Sequence, residues 1–285
     1  MLHEPAVPAS IEDGSGVTAS VDHPPVIDHK GGSIMSSTTV DTQPQAYPVL
    51  DVTPRQELAL LARMLHAEGY DDHLAGHITS RQPDGSFLVN PLGLSWDELC
   101  AGDVARMDAE GRQLEGRWTI SPAVQLHVVL HRHRPNAGVV IHNHPRWGTI
   151  WADCHRVPPV YDQTSAMYGG AIAIDAGYDG PVNQTANAEE VVTALEGADI
   201  ALMVNHGVLV IGPNVREAYL RAAVLEWRCR QAWHVETLGS GVAMNPETAQ
   251  AFGELIGASA AKGNFDNWFA SAARRVIRQD PSVLD

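Results

Sequence analysis

The sequence predicts a single α/β domain, and three observations support this prediction. Segments with the apolar spacing of helices alternate along the chain with short apolar segments of strand type. No internal repeat and no linker-like stretch interrupts them after about residue 50. The chain has 285 residues, 44% of them hydrophobic, which is enough to form a large core. We therefore expect helices and strands to share one core over residues 51–285.

Residues 1–50 differ in composition from the rest of the chain. They are rich in Pro, Ser, Thr, Asp and Val, show no helical or alternating periodicity, and contain one cation, Lys30. This composition predicts a disordered acidic leader. A translation start at Met35 is an alternative that the sequence leaves open.

The first predicted helix begins after Thr53, an N-cap residue, with Pro54 in its first turn, and it ends at Gly69. Two hairpins follow, and their turns are Asp84-Gly85 and Glu110-Gly111. The predicted strands are 77–81, 87–90, 104–107, 112–114, 139–142, 200–204 and 208–211, and the later predicted helices are 122–133, 147–152, 188–195, 215–238, 246–256 and 266–277.

The basic residues exclude several kinds of chemistry. The chain has two lysines, Lys30 and Lys262, one in the leader and one near the end. A Schiff-base aldolase, a pyridoxal-phosphate enzyme or a P-loop kinase needs a lysine in its active site, so lysine-centred catalysis is disfavoured.

A formal net charge of −15 disfavours binding to nucleic acid or to an anionic membrane. The sequence shows no signal peptide and no apolar run of transmembrane length. Cys100, Cys154 and Cys229 are widely spaced and odd in number, which is typical of reduced thiols. We therefore expect a soluble cytoplasmic protein.

Three histidines are candidates for a metal site. His142 and His144 follow an apolar strand, and residues two apart on a strand point to the same face. His206 lies between two further apolar strands, before a glycine. Three neutral imidazoles with an open position suit Zn, Fe(II), Mn or Co at a catalytic site. The alternative, a polar strand end without a metal, remains open on spacing alone.

Three other histidines give weaker signals. His127 and His131 lie four apart on a predicted helix, so they form a possible ligand pair. Because the segment continues with alternating Arg and His, we expect them to line a solvated face or the helix C-terminus. His77 fits either a site residue or a hydrogen-bonded strand histidine.

Several motifs, in order, resemble the class II aldolase/adducin-head family. They are His142-Asn143-His144, Asn205-His206-Gly207, the Gly76-to-Arg81 segment, the Leu88-to-Gly93 segment, Arg134-Pro135-Asn136-Ala137 and the helix starting at Arg216. The resemblance covers roughly residues 54–240. It implies a three-layer α/β/α domain with a central mixed sheet, a homotetramer, and one divalent metal ion held by His142, His144 and His206. In the family this ion polarises a carbonyl and stabilises the enolate formed on C–C cleavage.

The chain departs from the sugar-phosphate aldolases of the family at the acid/base position. These enzymes carry a glutamate nineteen residues before the first ligand, where this chain has Ala123. A methyl group can neither move a proton nor bind metal, and Gln125 is the nearby candidate for the vacant region. His77, Leu92 and Pro122 stand where the aldolases place groups that bind phosphate. A sugar-phosphate substrate is therefore disfavoured.

The segment Tyr161-Asp162-Gln163-Thr164 and the Asn90-Pro91 loop look closer to the metal-dependent decarboxylases of the family. Decarboxylation fits the missing glutamate because no proton must be abstracted to start the reaction. We expect a lyase that decarboxylates an unphosphorylated 2-oxo, hydroxy or aromatic carboxylate, with His77 or Tyr161 protonating carbon. Arg146 and Arg81 are candidate carboxylate clamps, and Gly76 and Asn90 are further candidate substrate contacts.

Three alternatives remain. The same site with iron(II) could be an oxygenase that oxidatively decarboxylates an aryl 2-oxo acid, as in aminocoumarin biosynthesis. An aldolase with a relocated base, acting on an unphosphorylated substrate, is the second. The third is a non-catalytic assembly module like the adducin head, although that head lacks the three ligands.

Overall fold

A computed structural model of the chain describes residues 50–168, 170–177 and 185–285, with the side chains of 185–187 excepted. The helices are α1 Pro54–Ala67, α2 Val124–His133, α3 Arg146–Asp153, α4 Thr185–Ala194, α5 Val215–Leu238, α6 Pro246–Ala260 and α7 Asp266–Gln279. The strands are β1 His77–Arg81, β2 Phe87–Val89, β3 Ala105–Met107, β4 Gln113–Glu115, β5 Val139–Asn143, β6 Ile172–Asp175, β7 Ile200–Met203 and β8 Gly207–Gly212. The predicted leader falls almost wholly outside the described residues and stays a prediction.

Local sequence accounts for the first helix and for both hairpins. The Thr53 hydroxyl accepts a hydrogen bond from the backbone of Gln56, and the Gln56 side chain accepts one from the backbone of Thr53, which is a capping box. Gly85 and Gly111 both have positive φ, as the predicted turns require. Helix α1 and the β1–β2 and β3–β4 hairpins are thus confirmed.

The eight strands form one sheet in the order β4-β3-β2-β1-β5-β8-β7-β6. All neighbouring pairs are antiparallel except β6 and β7, which are parallel. The sheet is therefore mixed, as the resemblance implies. Strand β6 was not predicted, because it is a short edge strand whose first three residues are only half-buried.

Helices cover both faces of this sheet. Val139 and Ile141 of β5 pack into a core cluster with residues of α1, α5 and α7. Val140, between them, packs into a second cluster with residues of α2 and α4. Because alternate residues of a strand point to opposite faces, the two clusters lie on the two sides of the sheet. The three-layer α/β/α architecture is confirmed.

The strand register positions the histidines. His77 of β1 lies opposite His142 of β5, and Asn143 lies opposite Val208 of β8. Alternation places His142 on the face of Val140, the face that α2 covers. Among the residues that the structure describes, no helix is long and apolar enough to cross a bilayer.

Candidate metal centre

The three predicted ligands meet where β5 ends beside the start of β8. His142 is in β5, His144 comes just after β5, and His206 lies in the turn from β7 to β8. One nitrogen of each ring can be chosen so that all three lie within 4.8 Å of one another. The ring centroids of His142 and His206 are 4.6 Å apart, and those of His144 and His206 are 4.9 Å apart. Neighbouring strands thus bring together residues that are sixty positions apart in the chain.

The turn that carries His206 needs a residue that tolerates a positive φ before it and a residue without a side chain after it. Asn205 has a positive φ of 54°, a conformation that asparagine adopts more readily than most residues. A Cβ added at Gly207 would lie 2.5 Å from the Asn143 carbonyl oxygen and 2.5 Å from Cδ2 of His144. A side chain at Gly207 would therefore displace a ligand ring.

Hydrogen bonds fix the orientation of two ligand rings. Nδ1 of His142 donates to the Val208 carbonyl oxygen at 3.0 Å, and Nδ1 of His144 donates to Oδ2 of Asp72 at 2.7 Å. Each bond leaves Nε2 as the nitrogen with a lone pair, and Nε2 of His144 is buried without a hydrogen-bond partner. Metal-binding histidines are typically held in this way by a carbonyl or carboxylate on the far nitrogen. The donor set therefore fits a divalent metal ion.

Burial keeps two of the ligand imidazoles, His142 and His206, neutral. Burial, reinforced by the neighbouring imidazoles, holds the pKa of His142 well below its usual value. Burial and His144 lower the pKa of His206 to about 4. Burial opposes ionisation of Asp72, but the hydrogen bonds from His73 and His144 outweigh it and lower its pKa. At neutral pH His142 and His206 are thus in the form that binds metal, and the ionised carboxylate of Asp72 supports His144.

His77 lies beside this cluster. Its ring stacks on that of His142 with centroids 5.7 Å apart. Burial, together with His144 and His206, lowers its pKa to about 4. Nδ1 of His77 is enclosed and has no hydrogen-bond partner. The structure thus brings the predicted catalytic histidine to the predicted ligands, and its role stays a prediction.

The expectation that His127 and His131 line a solvated face is wrong. Both are buried, at 0% and 3% exposure, between α2 and the sheet. The Thr79 hydroxyl of β1 bonds to Nδ1 of His127 at 2.9 Å and to Nε2 of His131 at 2.8 Å. Because α2 turns the i and i+4 positions to the same side, both imidazoles reach this hydroxyl. The polar residues after His131 concealed this inward face.

The candidate substrate contacts Gly76 and Asn90 are hydrogen-bonded to each other at the start of β1. The Asn90 side chain is buried, accepts from the backbone of Ile78 at 2.7 Å and donates to the Gly76 carbonyl at 3.2 Å. Gly76 has a φ of 100°, and a Cβ there would lie 2.2 Å from Nδ2 of Asn143. These contacts hold the loop before β1 against the end of β5, and a substrate contact stays a prediction for both residues.

Three other predicted residues have their contacts outside the histidine cluster. Arg81 donates to the carbonyl oxygens of Ala137 and His131 and lies over the Phe87 ring. The amide of Gln125 reaches the Glu110 carbonyl at 3.5 Å, at the β3–β4 turn. Tyr161 packs on the core cluster of α1 and α5 and lies near Gly241. The structure does not place these three with His142, although their predicted roles remain untested.

Arg146, the other candidate clamp, lines a cavity of about 350 Å³ together with Arg230, Trp147 and Glu226. Glu226 is 4% exposed, and burial raises its pKa to about 7. Its two carboxylate oxygens accept from the backbone N–H groups of Trp147 and Gly148, each at 2.9 Å. Glu226 therefore caps α3, the helix that follows His144 directly.

Asp72 and Glu226 are the supporting residues that the sequence did not reveal. Asp72 follows the first helix in an Asp-Asp-His segment, which resembles an ordinary polar loop. Glu226 lies in the middle of a long helix, where glutamate is common. Only the search for a carboxylate to orient each ligand histidine could have suggested Asp72.

The fold and the site define an α/β/α protein with a three-histidine centre at the end of its central strands, and comparison with known proteins identifies its family. The chain belongs to the class II aldolase and adducin N-terminal domain family, whose model matches residues 56–233.

Two relatives illustrate the range of this family. A 5-methylthioribulose-1-phosphate/5-deoxyribulose-1-phosphate aldolase of Rhodospirillum rubrum is 28% identical, over 65% of this chain and 85% of its own. The decarboxylase NovR of Streptomyces niveus is 25% identical, over 66% of this chain and 72% of its own. An aldolase II superfamily structure from Pseudomonas syringae superposes with a TM-score of 0.74 and 24% identity, covering 82% of this chain and 98% of the other. The predicted family and fold are confirmed.

Proposed function

We propose that this protein is a divalent-metal-dependent lyase that decarboxylates an unphosphorylated 2-oxo, hydroxy or aromatic carboxylate. The observation that carries the proposal is the cluster of His142, His144 and His206, with the Nδ1 atoms of His142 and His144 anchored. Within the described part of the chain, the group that could hold a metal contains these three imidazoles and no carboxylate.

A divalent ion at this site would draw electron density from a bound carboxylate or carbonyl oxygen, and it would leave positions open for a chelating substrate. The protein orients the donors: Asp72 holds His144, and the backbone of Val208 holds His142. Burial keeps His142 and His206 neutral, so these two rings do not repel a cation. His77, whose ring stacks on that of His142, would be the residue that hydrogen-bonds a bound substrate.

The acid/base position supports decarboxylation over sugar-phosphate cleavage. Ala123 is the N-cap of α2 and has no side-chain cap hydrogen bond, so neither a carboxylate nor a hydroxyl is present at that position. Leu92, at the predicted phosphate-binding loop, is 47% exposed, and its side chain offers no hydrogen bond. Loss of CO2 needs no initial proton abstraction, so it tolerates the alanine. The similarity to NovR, which is named a decarboxylase, agrees with this proposal.

The test is CO2 release from a panel of 2-oxo, hydroxy and aromatic carboxylates. The protein is loaded under argon with Zn, Fe(II) or Mn and assayed with and without oxygen. We expect metal-dependent CO2 release that falls to background in His144→Ala and persists in His133→Ala, a change at an exposed histidine of α2.

The outcomes separate the candidate functions. CO2 release matched by oxygen uptake, with iron only, would indicate the oxygenase alternative. Aldehyde release without CO2 would indicate an aldolase. CO2 release undiminished in His144→Ala would contradict a role for the histidine cluster.

A further inference from the structure

The cavity of about 350 Å³ at the start of α3 has a lining of its own. Its walls come from α3, α5, α7 and the loop after α1, and the ligand histidines are not among the lining residues that the structure describes. Small-molecule sites have volumes of about 300–1,000 Å³. The cavity is therefore large enough for a small metabolite, and its lining groups indicate which kind.

Glu226 shows that these groups lie close together. Its two oxygens accept from the first turn of α3, and a Cβ added to Gly69 would lie 3.4 Å from its Oε1. Burial is the main cause of its raised pKa, the charge of Asp71 adds to the rise, and the charge of Arg146 opposes it. The loop after α1, the start of α3 and the middle of α5 thus meet around one carboxylate.

Two guanidinium groups line this cavity unpaired. Arg146 and Arg230 are exposed, and neither makes a hydrogen bond or an ion pair with any residue in the described part of the chain. Glu226, one helical turn before Arg230, has both oxygens bonded to α3 instead. Elsewhere on α5 the guanidinium of Arg221 pairs with Asp199. Two unpaired guanidiniums at one cavity are suited to binding a carboxylate.

The three acidic residues at the cavity differ in their partners. Both oxygens of Glu226 are bonded to α3, and Oε1 of Glu68 accepts from the Tyr219 hydroxyl at 2.9 Å. Asp71 is exposed, and its carboxylate has no hydrogen bond or ion pair within residues 50–168, 170–177 and 185–285. Asp71 is therefore the acidic group that is available to a cation, in the same cavity as the two arginines.

The apolar part of the lining is aromatic. Trp147, Trp227 and Trp268 all line the cavity. Nε1 of Trp227 donates to Oδ1 of Asp162 at 3.1 Å, and the ring of Trp147 lies against that of Trp233 with centroids 5.2 Å apart. These contacts hold two of the indoles in place, which reduces the entropy cost of binding. Indole rings favour aromatic partners.

We propose that this cavity binds an α-amino acid with an aromatic side chain, its carboxylate at Arg146 and Arg230, its ammonium group at Asp71 and its ring among the tryptophans. A zwitterion pairs with groups of both charges, whereas a simple carboxylate or a simple amine leaves one kind unpaired. The site does not depend on the proposed function, because it needs neither the metal nor its ligands.

The first test is calorimetric titration of zinc-loaded and of metal-free protein with L-phenylalanine. We expect one site per chain with the same affinity in both forms. 3-Phenylpropionate lacks the ammonium group, phenethylamine lacks the carboxylate and L-alanine lacks the ring. Each should bind about tenfold more weakly or worse, because a charge-assisted hydrogen bond or a stacking contact is lost.

Variants locate the site. Arg230→Gln and Asp71→Asn should each weaken L-phenylalanine binding by about tenfold or more. Asp71→Asn should leave the affinity for 3-phenylpropionate unchanged, because that ligand has no ammonium group. Arg132→Gln, at an exposed arginine of α2, is the matched control and should bind L-phenylalanine normally. All three changes are at exposed residues, so folded protein is expected for each.

The proposal is overturned if L-phenylalanine does not bind, or if it binds only when zinc is present, since the amino acid would then be chelating the metal. Equal affinities for L-phenylalanine and 3-phenylpropionate would also overturn it, and so would unchanged binding in both Arg230→Gln and Asp71→Asn. Because the assay measures binding without turnover, its failure is distinguishable from failure of the decarboxylation assay.

Discussion

Asp72 shows how one residue outside the ligand set supports the centre. Its carboxylate accepts from Nδ1 of His144 and stays ionised because the hydrogen bonds from His73 and His144 lower its pKa. An ionised partner increases the basicity of the ligand nitrogen and holds the ring in place.

We expect Asp72→Asn to weaken zinc affinity by about 10- to 100-fold, because the amide can still accept a hydrogen bond but lacks the charge. Competition with a chromophoric chelator measures the affinity. Asp71→Asn is the matched control, since Asp71 lines the neighbouring cavity, whereas the hydrogen bond from His144 goes to Asp72. Equal affinities for the unsubstituted protein and Asp72→Asn would show that Asp72 does not support the ligand.

Buried neutral histidines make stability depend on pH. Burial and the charge of Arg81 lower the pKa of His131 from 6.5 to about 3. Between these values the unfolded chain binds a proton that the native chain does not, so stability falls as the pH falls through this window. The shifted pKa of His131 alone should lower the free energy of unfolding by about 2 kcal/mol when the pH falls from 7 to 5.

His131→Gln should therefore flatten the pH dependence of the free energy of unfolding by about 2 kcal/mol over that interval, although it lowers stability overall. Urea denaturation of the metal-free protein at pH 7, 6 and 5 gives the slope. His133→Gln, at the exposed end of α2, should leave the slope unchanged. If the free energy of unfolding changed equally with pH in His131→Gln and in the unsubstituted protein, His131 would not be buried in the neutral form.

At the scale of elements, α3 depends on a side chain from α5. Glu226 accepts both of its hydrogen bonds from the first turn of α3, and its removal leaves a buried N–H group at Gly148 and a partly buried one at Trp147 without acceptors. An unsatisfied buried N–H costs about 1–3 kcal/mol.

We expect Glu226→Ala to lower the free energy of unfolding by about 2–5 kcal/mol. Glu236→Ala on the same helix breaks the exposed pair with Arg156 and should cost about 1 kcal/mol or less. Chemical denaturation of both variants provides the comparison. If both variants lost a similar amount of unfolding free energy, Glu226 would not stabilise the first turn of α3.

The elements were largely predictable from the sequence, because local signals define them. Helix α5 has the predicted bounds, and both hairpins turn at the predicted glycines. What local signals could not give is which polar groups the packing buries. His131 stands in a strongly basic segment, and Thr79 looks like any strand threonine, yet the sheet and α2 enclose both. The proximity of the ligands was predictable only because the strands that carry them are recognisable.

At the scale of the whole molecule, the division between leader and domain can be tested directly. Residues 1–50 contain one trypsin site, after Lys30. If this region is disordered, limited trypsin treatment should cleave there first and leave a resistant fragment that starts at Gly31. Mass spectrometry identifies the fragment. Protection of Lys30 while sites within residues 51–285 are cut would contradict the predicted leader.

The homotetramer and the cytoplasmic location also stay predictions.

The central claim is that His142, His144 and His206 together bind one divalent metal ion. The most direct measurement is the metal content per chain after loading with zinc, followed by removal of loosely bound ions, for the unsubstituted protein and for His142→Ala with His144→Ala. We predict one ion per chain in the unsubstituted protein and about none in the double variant, which should keep its fold by circular dichroism. An unsubstituted protein that holds no zinc, or a folded double variant that still holds one ion, would contradict the claim.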